Sequence, residues 1–137
     1  MERRQVMVVA GVIERQGRVL ICQRRKKGRH GLKWEFPGGK VEPGETTRAA
    51  LERELLEELG VKAKIGPEIV RYEYRYRNSR PILLIFYRVA SYEGALSNRV
   101  FEQICWEQAG KLSGYDFLDG DEDFIRRLAR GELGETR

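Results

Sequence analysis

An amphipathic segment at residues 46–59 sets the strictest condition on how this chain folds. Its apolar residues, projected at about 100° per residue, cover one side of a helix, and they are Ala49, Leu51, Leu55, Leu56 and Leu59. Thr46 or Thr47 fits the N-terminal cap, and Gly60 fits the stop at the other end. The pattern predicts a helix whose leucine side is buried.

Extended segments flank this helix in the sequence. The predicted strands are residues 5–13, 18–24, 34–36, 62–65, 69–77, 81–90 and 100–106. The turn at residues 16–17 predicts that the first two strands form a hairpin, and residues 37–39 read as a loop. A last amphipathic helix is predicted at residues 121–130, with an apolar face of Phe124, Ile125 and Leu128. This order of elements predicts an α/β sandwich with a mixed sheet.

Length and composition fit one compact domain that spans residues 1–137. Hydrophobic residues make up 41% of the chain, and no apolar run reaches the roughly 18 residues of a membrane helix. Residues 1–4 lead into the first strand without a signal-peptide core, so a cytoplasmic location is expected. The formal net charge of +5 suits a polyanionic partner, either a nucleic acid or a small phosphorylated substrate.

Two cysteines and one histidine limit other site chemistry. Cys22 and Cys105 lie far apart in apolar, strand-like segments, so buried, reduced thiols are expected rather than a disulfide or a metal site. His30 is the single histidine, which excludes a histidine metal cluster. It falls in the basic loop at residues 24–33 and is expected to be solvated.

Three glutamates gather on the side of the helix opposite the leucines. Glu54, Glu57 and Glu58 have i, i+3 and i+4 spacing, which costs roughly 0.2–0.5 kcal/mol for each pair of like charges. They lie in the C-terminal half, where the helix dipole disfavours anions. A glycine-rich segment at residues 36–40 precedes the helix, and clustered oxygen ligands are what Mg²⁺ prefers. From this chemistry alone, a metal site and a solvated acidic face are equally supported.

A resemblance separates these two interpretations. Residues 39–61 read G-K-V-E-P-G-E-T-T-R-A-A-L-E-R-E-L-L-E-E-L-G-V. This stretch resembles the signature of the Nudix hydrolases, G-x5-E-x7-R-E-U-x-E-E-x-G-U with U a bulky aliphatic residue, at every fixed position. The approach W-E-F-P-G-G-K at residues 34–40 is similar to that of the MutT-like branch. The family implies an α/β/α sandwich around a mixed β-sheet.

The resemblance also implies a role for each matching residue. Catalytic divalent cations, Mg²⁺ with Mn²⁺ as the alternative, would be bound by Glu54, Glu57, Glu58 and the backbone carbonyl of Gly38. Glu54 would also be the general base, with Glu57 as the alternative. Arg53 would hold Glu54, and Glu45 would pair with Arg53. Gly39 would allow a tight turn.

Residues outside the signature resemble further contacts of MutT-like enzymes. The nucleotide would be contacted by Arg24, Gly39, Lys40, Tyr76, Arg80 and Asp121. Tyr76 would pack against the base and Asp121 would read its edge, although a packing tyrosine and a helix cap are the plain alternatives. For both arginines the alternative is an ordinary strand-flanking charge. Glu102 is the candidate for a further metal ligand, although an ungapped comparison puts Val100 at that position.

The implied function is hydrolysis of a nucleoside triphosphate to a nucleoside monophosphate and pyrophosphate, with 8-oxo-dGTP as the preferred candidate substrate. A (d)CTP pyrophosphohydrolase is the nearest alternative, and hydrolysis of ADP-ribose, dinucleoside polyphosphates or RNA 5′ ends is more distant. A non-catalytic nucleotide-sensing module would require a damaged signature, and this one is intact. The expected partner is a nucleotide, with no membrane, no required nucleic acid and a monomeric chain.

Overall fold

The computed structural model describes residues 5–133. In chain order its strands and helices are β1 (Val6–Val12), β2 (Glu14–Arg15), β3 (Arg18–Gln23), β4 (Trp34–Glu35), β5 (Gly38–Lys40), α1 (Thr47–Leu59), β6 (Lys62–Tyr74), β7 (Ile82–Glu93), β8 (Gln103–Glu107), two 3₁₀ helices (Ala109–Gly114 and Asp119–Asp121) and α2 (Glu122–Ala129). The expectation about a signal peptide concerns residues 1–4, which lie outside the described residues. Within residues 5–133, every helix is too short or too polar to cross a bilayer.

In the described part of the chain, the strands form two four-stranded sheets. The first has the order β5-β1-β7-β6, in which β1 and β7 are parallel and the other pairs are antiparallel. In the second, β3 pairs antiparallel with β2, β4 and β8. The parallel pair within an otherwise antiparallel sheet confirms the predicted mixed sheet.

Alternate residues of the central strands belong to two different apolar clusters, because successive side chains of a strand point to opposite faces of the sheet. One cluster packs the sheet against α1 and includes Val9, Ile85, Leu51, Leu55 and Leu59. The other packs the sheet against α2 and includes Ala10, Phe86, Phe124, Ile125 and Leu128. Burying one such large side chain stabilises the fold by roughly 1.5–3 kcal/mol. The layers are therefore helix, sheet and helix, which confirms the α/β/α prediction.

Helix α1 confirms the predicted segment and its caps. The Oγ1 of Thr46 accepts a hydrogen bond from the Ala49 N–H at 3.0 Å, and Gly60 ends the helix in the left-handed conformation with φ 71°. The predicted apolar side is wrong at Leu56, which is 51% exposed. The buried leucines Leu51, Leu55 and Leu59 follow one another at intervals of four residues. Leu56 comes one position after Leu55, so its side chain points away from that line toward solvent.

The predicted hairpin of residues 5–13 and 18–24 is wrong in its first strand. β1 pairs with β5 and β7, whereas the turn at Gln16 and Gly17 joins the two-residue strand β2 to β3. Both turn residues have positive φ, 51° and 76°, which a tight hairpin turn requires. Ile13 is buried between β1 and β2, and the chain changes sheet at this point.

Two further strand predictions need correction. Residues 37–39 do not form a loop throughout, because β5 pairs with β1. The predicted strands at 62–65 and 69–77 are one strand, β6, with irregular pairing between Lys64 and Val70. At this irregularity, Arg48 Nη1 donates to the carbonyls of Ile65 and Gly66 at 2.9 and 2.8 Å. These bonds satisfy carbonyls that the ladder leaves open, so the strand continues past its glycine and proline.

The later elements agree more closely. Residues 84–87 of β7 are consecutively buried, as an apolar strand covered on both faces requires. The strand predicted at 100–106 begins only at Gln103, since the Asn98 side chain bonds both the N–H and the carbonyl of Phe101 and bends the chain there. Cys22 is buried, Cys105 is half-buried, and both thiols are free.

Gly38 has a backbone conformation that a side chain cannot share. Its φ is 152°, and a Cβ there would lie 1.9 Å from the Val9 carbonyl oxygen of β1. We expect Gly38→Ala to lower the free energy of unfolding by more than about 3 kcal/mol, because the paired backbone cannot move away. Gly17 also has a positive φ, 76°, but a Cβ there would have no atom within 4 Å. Gly17→Ala should therefore lower the free energy of unfolding by only about 1–2 kcal/mol. Urea unfolding measures both, and equal losses would contradict this explanation.

Candidate active site

A cavity of about 850 Å³ runs beside β1, β4, β5 and the acidic side of α1. Its volume lies in the range of small-molecule sites. The predicted site residues that line it are Arg24, Gly38, Gly39, Lys40, Glu54, Glu58, Tyr76, Arg80 and Asp121. Glu45, Arg53 and Glu57 lie outside this lining, and Arg53 links the other two to Glu54.

Strand β5 lies directly against the acidic side of α1. The Gly38 N–H donates to Glu58 Oε1 at 3.0 Å. A Cβ on Gly39 would lie 1.7 Å from Glu54 Oε2. The interpretation of Gly39 as a tight-turn residue is therefore wrong. Gly39 leaves the space that Glu54 occupies, and the preceding Gly38 has the positive φ.

Arg53 ties the loop before α1 to the helix. Its Nε and Nη2 donate to the two carboxylate oxygens of Glu45 at 2.7 and 3.0 Å, and its Nη1 donates to Glu54 Oε1 at 2.7 Å. Nη2 also donates to the Lys40 carbonyl at 3.2 Å, and Glu57 Oε2 lies 3.5 Å from Nη1. The structure therefore brings together the arginine and glutamates that the signature paired.

The carboxylates on the two sides of this network have opposite electrostatic surroundings. Burial, together with the nearby carboxylates of Glu54 and Glu35, raises the pKa of Glu58 to about 9. Burial also raises the pKa of Glu54, and Arg53 opposes that shift. Hydrogen bonds from Arg53 and from the Glu42 backbone lower the pKa of Glu45 to about 2. The cavity side of α1 thus holds desolvated carboxylates, whereas the loop side holds an ionised pair.

The fit of a divalent cation can be judged from Glu58. Its carboxylate is desolvated near two others and accepts a hydrogen bond from a neutral backbone N–H. A cation between Glu58 and Glu54 would offset this charge, and carboxylate oxygens suit a hard divalent ion. Within residues 5–133, no three His, Cys, Asp or Glu side chains converge as a preassembled metal cluster. Arg53 contacts Glu54 and Glu57, whereas Glu58 turns toward Gly38.

Asp121 lines the same cavity from the start of α2 and is 6% exposed. Burial, with the Glu35 carboxylate nearby, raises its pKa to about 8, and the neighbouring Phe36 backbone opposes the shift. Asp121 is at the N-cap position of α2, but its side chain makes no capping hydrogen bond. The helix-cap alternative is therefore wrong. A carboxyl with this pKa is mostly protonated at pH 7, so it offers one donor and one acceptor.

Two tyrosines hold the segment next to Asp121. Tyr72 Oη donates to the Gly120 carbonyl at 2.6 Å, and the Gly120 N–H donates to Tyr76 Oη at 3.0 Å. The Tyr76 ring contacts the His30 ring, with centroids 5.0 Å apart. His30 is half-buried and lines the cavity, so it is partly open to solvent. The contact of Tyr76 with a base stays a prediction.

Glu35 is a cavity residue that the sequence reasoning missed. Its Oε1 accepts a hydrogen bond from Arg24 Nη1 at 3.1 Å, and Arg24 Nε donates to the Arg29 carbonyl at 3.2 Å. Burial raises the pKa of Glu35 to about 7, and Arg24 opposes the shift. The available signal was an acidic residue between Trp34 and Phe36, both of which are buried. A carboxylate in such an apolar segment needs a partner.

Glu102 lies apart from these residues. It is exposed and outside the cavity lining, and its backbone N–H donates to the Gln23 carbonyl at 2.8 Å. Val100, which is 42% exposed, lines the cavity instead. This is the residue that the ungapped comparison placed here. A metal-binding role for Glu102 stays a prediction without geometric support.

Comparisons with known proteins show which family this chain resembles in sequence and fold. A sequence profile described as NUDIX domain matches residues 1–128. The chain is 41% identical over 118 residues to the CTP pyrophosphohydrolase of Escherichia coli K12, covering 86% of this chain and 87% of that protein. It is 37% identical over 131 residues to the putative 8-oxo-dGTP diphosphatase 2 of Mycobacterium tuberculosis H37Rv, covering 90% and 88%. The crystal structure of MutT protein from Methanosarcina mazei Go1 shares the fold, with a TM-score of 0.83, 22% identity and coverage of 98% and 99%.

The chain therefore belongs to the Nudix family. It is a Nudix hydrolase, an enzyme that acts on phosphoanhydride bonds, and the resemblance to MutT-like members of the family is confirmed. Nudix hydrolases generally use a divalent metal ion, and carboxylate oxygens of the kind that Glu54 and Glu58 place at the cavity suit such an ion.

The desolvated carboxyl of Glu58 predicts a trade of stability for function. Its folded-state pKa of about 9 exceeds the ordinary value of 4.5. The metal-free folded state therefore holds the proton more tightly, and it loses stability as the pH rises between these two values. Glu58→Gln keeps the acceptor for Gly38 but removes the charge. We expect it to be more stable than the parent by roughly 1–3 kcal/mol at pH 8, and nearly equal at pH 5.

The measurement is urea unfolding in EDTA at both pH values. Glu52→Gln is the matched control, because Glu52 is an exposed glutamate of the same helix, and its stability should follow the parent. A Glu58→Gln variant less stable than the parent at pH 8 would contradict the assignment of a costly buried charge.

Proposed function

We propose that this Nudix hydrolase uses Mg²⁺ to convert a nucleoside triphosphate to a nucleoside monophosphate and pyrophosphate, with 8-oxo-dGTP as its preferred substrate. The observation that carries the base preference is the buried carboxyl of Asp121. In 8-oxoguanine the N7 is a donor beside the O6 acceptor, and a protonated carboxyl offers the complementary acceptor and donor. The M. tuberculosis relative is named putative 8-oxo-dGTP diphosphatase 2, which supports the same nucleotide as the substrate here.

A (d)CTP pyrophosphohydrolase is the second candidate. Ionised Asp121 would accept a hydrogen bond from the N4 amine of cytosine, a pairing that carboxylates also make with cytosine in DNA. The relative with 41% identity is named CTP pyrophosphohydrolase. Ionisation of Asp121 therefore removes the donor that O6 of 8-oxoguanine requires and leaves an acceptor for the N4 amine of cytosine.

The metal would be held by Glu54, Glu57, Glu58 and the Gly38 carbonyl, with Mn²⁺ able to replace Mg²⁺. A bound divalent cation supplies charge neutralisation at the phosphate oxygens and lowers the pKa of a water. Glu54 would accept the proton of the attacking water, with Glu57 as the alternative base. The 2.7 Å contact from Arg53 fixes the Glu54 carboxylate, and Glu45 fixes Arg53. This support reduces the movement that proton transfer would otherwise require.

The remaining cavity residues would bind the nucleotide. The positive charges of the cavity lining would offset phosphate charge; they belong to Arg24, Lys40 and Arg80. Gly39 would let the phosphates approach the backbone. Tyr76 would pack beside the base. We also propose that residues 1–137 form one domain that acts in the cytoplasm as a monomer on free nucleotides, without a nucleic-acid or membrane partner.

The experiment that tests this function is a hydrolysis screen with Mg²⁺ over 8-oxo-dGTP, ordinary ribo- and deoxynucleoside triphosphates, ADP-ribose, dinucleoside polyphosphates and 5′-triphosphorylated RNA. Pyrophosphate and a monophosphate are the expected products, and ¹⁸O water locates the attacked phosphorus. Release of orthophosphate without pyrophosphate would overturn the proposed reaction. A higher kcat/KM for dinucleoside polyphosphates or RNA would overturn the proposed substrate class.

The carboxylate of Glu57 should be essential for activity although Glu57 is exposed. Glu57→Gln keeps the shape and removes one charge from the proposed metal site, so kcat should fall about a thousandfold at saturating Mg²⁺. Circular dichroism should show an intact fold. Glu52→Gln removes an exposed glutamate charge from the same helix and should retain parental kcat. Equal activity of the two variants would contradict the metal role of Glu57.

The base preference should depend on pH through Asp121. Because its raised pKa is about 8, the donor is present below this pH and is lost above it. The ratio of kcat/KM for 8-oxo-dGTP to that for dCTP should therefore fall from pH 7 to pH 9 in the parent. In Asp121→Asn, whose amide keeps a donor, the ratio should stay flat and exceed the parent's by about tenfold at pH 9.

The ratio of two substrates cancels pH effects on the metal and the phosphates. Asp119→Asn is the control, since Asp119 is an exposed aspartate of the same 3₁₀ helix, and its ratio should follow the parent. An unchanged ratio in Asp121→Asn at both pH values would mean that base selection lies elsewhere.

A further inference from the structure

The positive charge of this chain is concentrated in two segments, residues 24–33 between β3 and β4 and residues 75–80 between β6 and β7. Together they contain nine of the 26 Lys and Arg residues and none of the 21 Asp and Glu residues. The rest of the chain is therefore net negative, although the whole chain has a net charge of +5.

Side-chain contacts join these segments into one surface, which we call the basic rim. Arg29 Nη2 donates to Ser79 Oγ at 2.8 Å, and the ring centroids of His30 and Tyr76 lie 5.0 Å apart. The rim cations that are exposed and also line the cavity are Arg25, Lys27, Arg29 and Arg80. The rim therefore borders the cavity where it opens to solvent.

Carboxylates neutralise little of the charge of the rim. Arg24 pairs with Glu35 at 3.1 Å, and Lys33 pairs with Asp116 at 2.7 Å. Within residues 5–133, the rim cations that form no ion pair are Arg25, Lys26, Lys27, Arg29, Arg75 and Arg77. Exposed charges act over about 8 Å at physiological ionic strength. The rim therefore attracts a polyanion before the polyanion touches it.

The interior of the cavity carries groups of the opposite charge. The carboxyl groups that line it belong to Glu35, Glu54, Glu58 and Asp121. Each of them that is ionised repels an approaching polyphosphate. Entry of a phosphorylated substrate is therefore favoured by an attraction that begins outside the cavity, and the rim lies where the substrate enters.

We propose that the basic rim is a capture surface for phosphorylated substrates, in which Lys26 and Arg77 attract the nucleotide over a distance and do not contact it once it is bound. This role rests on the proposed function and concerns entry to the same site. Both side chains are exposed, lie outside the cavity lining and make no hydrogen bond or ion pair within residues 5–133. Their chain neighbours line the cavity, so each charge lies within roughly 10 Å of it.

The test removes both charges and compares two ionic strengths. Lys26→Gln/Arg77→Gln should lower kcat/KM for 8-oxo-dGTP about fivefold at an ionic strength of about 0.03 M, because the magnesium–nucleotide complex is still anionic. At about 0.5 M the difference from the parent should fall below about twofold, because salt screens the attraction. The loss should appear in KM and leave kcat parental, since the bound state is unchanged.

Two further variants separate charge from side-chain shape. Lys26→Arg/Arg77→Lys keeps both charges and should retain the parental kcat/KM. Lys26→Glu/Arg77→Glu changes the charge by twice as much as the neutral variant. It should lower kcat/KM about 25-fold at an ionic strength of about 0.03 M, because the electrostatic free energy is proportional to the charge.

Arg18→Gln/Lys111→Gln is the matched control, because it removes the same charge from exposed positions away from the rim. Both cations are electrostatic neighbours of Glu107, whose register partner is Val19. Arg18 begins β3, about 17 Å of extended chain before Gln23, the last residue ahead of the rim. The control should stay within about 1.5-fold of the parental kcat/KM at both ionic strengths.

Four results would overturn the proposal. They are a parental kcat/KM in the neutral variant at low ionic strength, a loss of equal size at both ionic strengths, a loss in kcat, and equal losses in the rim variant and the control. A loss that salt does not screen would indicate altered structure or direct contact with the bound nucleotide.

Failure of the proposed function is a separate outcome. If another phosphorylated compound is the preferred substrate, the same comparison is made with that compound, because capture depends on phosphate charge and not on the base. If the parent hydrolyses none of them, calorimetry with inorganic triphosphate decides. Lys26→Gln/Arg77→Gln should then bind it at least about threefold more weakly than the control at low ionic strength, and equal affinities would overturn capture.

Discussion

Strand β5 lies against helix α1 with no side chain between them at Gly39, and this close approach sets the form of the site. The Gly38 N–H reaches Glu58, and the missing Cβ of Gly39 leaves room for Glu54. The leucines on the other side of α1 fix the helix against the sheet. Because strand and helix are both anchored in the core, the two glutamates face the cavity without freedom to withdraw into solvent.

The cost of this arrangement is a group of carboxylates that the protein does not neutralise by itself. Arg53 compensates Glu45 and Glu54, whereas Glu58 is left with a backbone N–H and two acidic neighbours. Such a cluster is unfavourable in the metal-free protein and favourable once a divalent cation and a polyphosphate are bound. The same electrostatic logic extends to Asp121, whose burial favours the protonated carboxyl and so the donor that the proposed base contact would use. Stability is therefore reduced at the positions where the substrate supplies compensation.

The sequence predicted best what depends on local pattern. Helix α1 with its caps, helix α2 and the consecutively buried β7 follow from periodicity and cap chemistry, and the signature positioned Arg53 against Glu45 and Glu54. Contacts between distant segments were not readable in the same way. The pairing of β1 with β7 and the strand character of Gly38–Lys40 depend on tertiary neighbours. Glu35 was missed because no local rule brings its carboxylate to the cavity that Asp121 and Glu58 also line.

The most direct test of the central claim, that the acidic side of α1 holds the catalytic metal, is a titration of metal-free protein with Mn²⁺ followed by electron paramagnetic resonance. The signal of free Mn²⁺ should be lost saturably in the parent, and Glu52→Gln should bind as the parent does. Glu58→Gln should bind at least about tenfold more weakly, because it removes one anionic ligand. Parental Mn²⁺ affinity in Glu58→Gln would contradict the claim.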